Sequence, residues 1–473
     1  MIRSLVRPLF SNRSILLWLL LFGVLGVALI FLYPDADQQD AGYHYLFARW
    51  SWHEPYYLIG VWTRPLFTLI YSFPAQFGYR SAKVLTLLIC LMTAIETYRL
   101  AARLGFERAE WVFPLLLLQP AYFLLYTETQ TESLFALVFV IALNLHYAGR
   151  TRAAMLAASM LILIRPEGFF LGCLWALWTL QYSREWPWWR RLLETLWLAI
   201  GALAWWVAAA LITGDTMWIV HDWPADWHAT SIANGRGPIV WYVILLPLIV
   251  GPLLLPAFVV GLSHLIRRRE FLLGVSSFLA LFLLHSVLFW QGWFGAAGYP
   301  RYLVCVSPAI AVVTLCGWNR MTLLSDRRVR VAVLIASFLV CLFYVDGYRF
   351  TRDSRAIDDA IAWLERHPIS FSRLVYSQSY MCIRLNCSSN DRPSLTNDRE
   401  HNLDLLNGLP SGTLIFWDGE VGPKWYGLRA ADFEKIGYRR LWSSSYHLEG
   451  WFFRLPWRYH GGPRLQEIDL YFK

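Results

Sequence analysis

Apolar runs of about 15 to 24 residues recur along the chain, each long enough to cross a hydrocarbon layer of roughly 30 Å as a helix. Only 16% of the residues are charged against 57% hydrophobic, where a soluble domain carries roughly 25% charged residues, so water cannot be the solvent for this fold. The net charge of +9 does not point to nucleic acid, because Lys and Arg sit in short clusters between the apolar runs, where they orient helices in a bilayer. The chain reads as an α-helical polytopic membrane protein.

With the N-terminus inside, spans fall at 15–33, 82–98, 111–126, 134–149, 153–164, 168–182, 192–212, 238–261, 271–290, 301–317 and 331–345. These about 11 crossings leave the C-terminus outside and place Arg99, Arg103, Arg108, Arg150, Arg152, Arg184, Arg190, Arg191, Arg267 to Arg269, Arg320, Arg327, Arg328 and Arg330 inside, as expected for an inner-membrane protein. The run Ile15 to Tyr33 lacks a small-residue cleavage site and reads as an anchor. The short segments 153–164 and 168–182 read as a broken pair meeting at Arg165-Pro166-Glu167, near the outer surface.

Residues 1–346 therefore form a membrane domain. In its first outer loop Tyr43, Leu46, Phe47 and Trp50 recur at helical spacing, predicting an interfacial helix within 36–58. From residue 347 the composition turns polar. Helices over 356–366 and 430–436 with strands over 373–377 and 413–417 predict a small extracytoplasmic α/β domain over 347–473. Five cysteines lie inside apolar runs as packing residues, while Cys382 and Cys387 leave a disulfide open.

The outer loops gather the acids. Asp35, three residues before Gln38, fits a capping box. Asp40 lies beyond that first turn and shares a face with Asp37 and His44. A carboxylate beside another acid at a membrane surface is a candidate general base, with His44 its hydrogen-bond partner or a metal ligand. On the same side lie Arg64 before Pro65, Arg165 at the break with Glu167 beside it, and Arg301 at the start of a span. Guanidinium groups match phosphate oxygens in pairs, although an arginine at a helix end also snorkels to headgroups. Glu128 and Glu132 stand in a polar loop that either lines a sugar site or caps the next helix. His221 and Asp222 lie in an aromatic loop, 213–237, that offers a sugar platform or an interfacial belt.

Asp40-Ala41-Gly42-Tyr43-His44-Tyr45-Leu46-Phe47-Ala48-Arg49 resembles the first-loop segment of the polytopic GT-C glycosyltransferases, in which an acid precedes aromatic residues and Ala-Arg. Gln119-Pro120-Ala121-Tyr122 with Thr131-Glu132-Ser133-Leu134-Phe135 is similar to the GPI mannosyltransferase branch, and Arg301-Tyr302-Leu303 with Pro308 to the protein-mannosyltransferase and aminoarabinose-transferase branches. The resemblance spans about 1–345. It implies transfer of a hexose, with mannose a candidate, from a polyprenyl-phosphate donor to a lipid, glycan or protein acceptor, with Asp40 as base and Arg301 on the phosphate. The family's adjacent acidic pair is replaced by Asp37 and Asp40 separated by two glutamines, so the choice between these acids stays open. A single displacement would invert the anomeric centre. No cofactor is assigned, a divalent metal is left open, and membrane lipids are the other expected partners. A transporter or flippase of a lipid-linked saccharide is the alternative from another class, and a non-catalytic membrane subunit a third.

Overall fold

Helices dominate the computed structural model, which describes residues 13–33, 39–182, 186–223, 236–348, 351–391, 395–396, 398–419, 421–447 and 465–473. The chain divides into two compact units, one of Met1–Tyr33 with Phe47–Val345, the other of Pro34–Leu46 with Asp346–Lys473.

In the first unit, six helices among the described residues are long and apolar enough to span a membrane: Arg13–Leu32, Tyr79–Arg103, Trp188–Thr213, Leu272–Gln291, Pro300–Trp318 and Arg327–Val345. The protein is thus an integral membrane protein. A seventh crossing is available if Trp241–Val250 and Leu255–Arg268, bent by 107°, count as one. The bend has a local cause. Gly251 takes a positive φ of 100°, and Pro252, without an N–H, follows it.

Runs read from sequence as further crossings are shorter here. The run at 111–126 breaks into Val112–Leu117 and Pro120–Leu125 at Gln119-Pro120, whose proline supplies no backbone donor. Every residue of both pieces is buried, so this run serves as core. Thr131–Tyr147, Thr151–Leu163 and Glu167–Tyr182 are short apolar helices, and the last two are interrupted at Arg165-Pro166 as expected.

The Pro300–Trp318 segment is the hub of this unit, with 94% of its apolar window buried. It crosses Leu255–Arg268 backbone to backbone: a Cβ on Gly317 would lie 1.8 Å from the Ala257 carbonyl oxygen, and one on Gly261 1.9 Å from that of Val313. Such close approach maximises dispersion where lipid offers no hydrophobic drive between helices, and it fixes the segment that begins with Arg301.

The second unit is built on a four-stranded sheet of β1 (Arg373–Tyr376), β2 (Thr413–Asp418), β3 (Arg439–His447) and β4 (Leu465–Phe472), in the order β1-β2-β4-β3. β1 and β2 are parallel, with Leu374 opposite Leu414, and β4 runs antiparallel to both β2 and β3. All of β2 is buried, as expected of a central strand. Val375, Ile415, Trp417, Phe433 and Tyr471 form the core against the helices Arg399–Asn407 and Ala430–Lys435. The Cys387 amide donates to the Cys382 carbonyl at 3.0 Å, and both residues are buried.

Candidate active site

Three helix starts in the first unit bring charge into an apolar interior. Thr131–Tyr147 begins with Glu132 in its first turn, Glu167–Tyr182 with Glu167, and Pro300–Val306 with Arg301. Carboxylates at helix N-termini are favoured by the peptide dipoles, which lowers the penalty of holding them out of water. Arg165 precedes Pro166, which disfavours helical backbone at that position and frees the arginine from the helix.

Arg165 is the centre of the cluster. Its Nη1 lies 2.9 Å from Glu132 Oε1 and donates to Thr131 Oγ1 at 3.0 Å, and its Nη2 lies 2.8 Å from Glu167 Oε1. Arg301 reaches the same Glu132 oxygen with Nε at 3.6 Å. His285 Nε2 stands 3.6 Å from Glu167. The Tyr302 ring is the shared platform: His285 stacks on it at 4.9 Å, and the guanidinium groups of Arg165 and Arg301 lie 5.4 and 5.9 Å from its centroid. Arg301 also lies 5.0 Å over Tyr299. The loop that presents these tyrosines is held from behind by Trp241 Nε1, donating to the Gly298 carbonyl at 2.8 Å, and by the Tyr242 hydroxyl, donating to that of Tyr299 at 3.1 Å.

Arg64 adds a third guanidinium. Its backbone is left-handed (φ 64°) at the start of the helix Pro65–Ala75, its side chain is buried, and its charge acts on Glu167. Three arginines and two carboxylates therefore share a medium of low dielectric, where each charge acts strongly on its neighbours.

A second buried pair lies on the neighbouring loop and helix. Lys83 Nζ is 3.0 Å from Glu128 Oε1 and donates to the Tyr33 carbonyl at 2.8 Å, while the Tyr79 hydroxyl donates to Glu128 Oε2 at 3.4 Å. The sequence reading missed Lys83, which sits one residue inside an apolar run, and His285, a lone histidine in another. An ionisable side chain at membrane depth was the available signal for both.

The other expected site residues are placed as follows. Asp35 and Asp37, with Asp226, Trp227 and His228, fall outside the described residues. Asp40 occupies the first turn of the helix Gln39–Trp50 and is half-buried. Asp40, Tyr43 and His44 belong to the second unit, in which Tyr43 stacks on Tyr376 at 6.5 Å and His44 is buried. Asp222 and His221 part company. The Asp222 carboxylate accepts the Val61 amide at 2.7 Å, three residues before Arg64, and so tethers the turn that presents it. His221 is exposed and bonds Asp215 at 2.7 Å, which holds the Asp215 carboxyl below its usual range. Among the described residues no three His, Cys, Asp or Glu side chains gather closely enough to hold a metal ion.

No protein-family model matches the chain, and no curated protein matches it in sequence. Two solved structures do match in fold. Both are ArnT from Cupriavidus metallidurans. The structure bound to undecaprenyl phosphate is 15% identical with a TM-score of 0.59, covering 96% of this chain and 98% of that one. The apo structure is 13% identical with a TM-score of 0.62, covering 96% and 97%. The chain shares the ArnT fold over nearly its whole length.

Proposed function

We propose that the protein is a membrane glycosyltransferase that takes a sugar from a polyprenyl-phosphate donor and passes it to an acceptor hydroxyl on the extracytoplasmic side. The observation that carries this reading is the buried cluster in which the guanidinium groups of Arg165 and Arg301 converge on Glu132. Converging guanidinium groups suit the oxygens of a lipid phosphate, and the ArnT structure solved with undecaprenyl phosphate has the same fold.

In this reading the acceptor oxygen attacks the anomeric carbon as the bond from that carbon to the phosphate oxygen breaks. The electron pair leaves with the polyprenyl phosphate, whose growing charge is met by Arg301 and Arg165, with Arg64 adding to the local field. The acceptor proton passes to a carboxylate, which we assign to Asp40 with Asp37 assisting. One displacement inverts the anomeric centre. Hexose, with mannose as first candidate, is the sugar we assign from the resemblance, and the clusters of basic residues between spans argue for the N-terminus inside and residues 347–473 outside.

The test is transfer by the purified full chain from a labelled polyprenyl-phosphate hexose, read as covalent product. Arg301→Ala should lower turnover by about 10²- to 10³-fold, the usual effect of removing one group that stabilises developing charge. Transfer by the variant at the wild-type rate would remove Arg301 from the phosphate. Movement of donor across a vesicle membrane without covalent product would replace the enzyme by a transporter.

A further inference from the structure

Away from the charged cluster, the helix Arg327–Tyr348 carries a surface the proposed reaction does not use. Val331, Ile335, Leu339 and Phe343 are exposed by 43, 57, 58 and 59%. Their spacing of four residues puts them on one face, and at 1.5 Å per residue the stripe runs about 18 Å, close to the roughly 15 Å depth of one leaflet's hydrocarbon. Where the stripe begins there is a groove of about 380 Å³ lined by Arg327, Arg328, Val331, Ala332 and Ile335.

The arginines around this end of the molecule differ in their commitments. Arg320 donates to the Cys316 carbonyl and lies 2.7 Å from His264 Nε2, and Arg330 sits 5.2 Å over the Trp111 ring. Arg327 and Arg328 are exposed, and among the described residues neither side chain makes a hydrogen bond or ion pair. Beside them Asp326 accepts the Arg328 backbone amide at 2.7 Å, one carboxylate against two guanidinium groups. Two exposed guanidinium groups, with one carboxylate beside them, thus stand at the head of an aliphatic track about one leaflet deep.

We infer that this groove binds an anionic glycerophospholipid, its phosphate on Arg327 and Arg328 and one acyl chain along Val331, Ile335, Leu339 and Phe343. Charge complementarity selects the headgroup: a zwitterionic lipid brings its own cation to a place that already holds two, whereas a phosphatidylglycerol brings a net negative charge. The apolar stripe selects a lipid over a free anion.

Native mass spectrometry of the detergent-purified full chain, titrated with phosphatidylglycerol or with phosphatidylcholine of the same chains, tests this. Phosphatidylglycerol should bind more tightly, and Arg327→Gln with Arg328→Gln should weaken it about 10- to 30-fold, since each arginine near a lipid headgroup contributes roughly a fivefold change. Replacing both by lysine should retain most of the binding, and Arg267→Gln with Arg268→Gln, which removes the same charge elsewhere, should leave it unchanged. Equal binding of the two lipids, equal loss in both glutamine pairs, or full displacement of phosphatidylglycerol by equimolar inorganic phosphate would each overturn the inference.

Discussion

Arg165 in the helical unit and Arg399 in the sheet unit hold carboxylates at similar distances, 2.8 Å to Glu167 in one case and 2.7 Å to Asp432 in the other, in opposite surroundings. The Arg165 side chain is 9% exposed and two carboxylates flank it, whereas Arg399 is 45% exposed and water competes for its donors. In the first setting each ion depends on its partners, because removing one leaves the other charged and dry. In the second the pair adds little, because solvent replaces what is lost. The same two functional groups therefore form a buried cluster of mutually dependent ions in one unit and a water-exposed helix clasp in the other.

The contrast breaks most visibly at Glu132. Glu132→Ala strips the carboxylate shared by Arg165 and Arg301 and should destabilise the protein by about 3–5 kcal/mol, the range for orphaning a buried ion. Detergent-solubilised melting followed by size exclusion measures this. A variant melting with the wild type would mean that water already reaches the cluster. Adding a polyprenyl phosphate should restore less stability to this variant than to wild type, because without Glu132 the two arginines lose their register.

The Lys83 and Glu128 pair sharpens the comparison, being buried like the first but joining one cation directly to one carboxylate. Lys83→Met alone should cost about 3 kcal/mol, and the double change with Glu128→Gln should recover most of it, since two neutral side chains need no partner. If the double variant stays as unstable as the single, Lys83 acts through the Tyr33 carbonyl instead.

How much of this was legible beforehand follows from where each signal resides. The break at Arg165-Pro166-Glu167 and the start at Pro300-Arg301 are local, because a proline acts on its neighbours, and the sequence reading placed both. Glu132 was visible as a charged residue at a helix start, but its bonds to Arg165 and Arg301 depend on three helices meeting and leave no local trace. Gln119-Pro120 lies in a run that passes a hydropathy test, yet its pieces are interior, since apolarity does not distinguish lipid-facing from protein-facing surface. In the second unit β1 and β2 are short apolar runs and were read, while β3, with Arg439, Arg440 and three consecutive serines, pairs among the described residues only along β4 and shows no alternation to find.

The smallest expected effect lies at Asp432. Burial raises its pKa, but hydrogen bonds from Arg399 and from the Arg429 amide, at 2.7 and 2.9 Å, outweigh this and hold the carboxyl below its usual value. A carboxyl depressed on folding contributes stability above its unfolded pKa of about 4, and that contribution disappears as pH falls through the folded value. Asp432→Asn should therefore cost about 1 kcal/mol at pH 7 and almost nothing near pH 2. Amide exchange over 399–435, corrected for the intrinsic rate, reads the local opening in the full chain. Because Arg399 is half in water, salt should shrink the difference at pH 7, whereas the Glu132 variant should respond little to salt. A salt-independent loss at Asp432 would place this clasp in the same dry regime as Arg165 and erase the distinction between the two arginines.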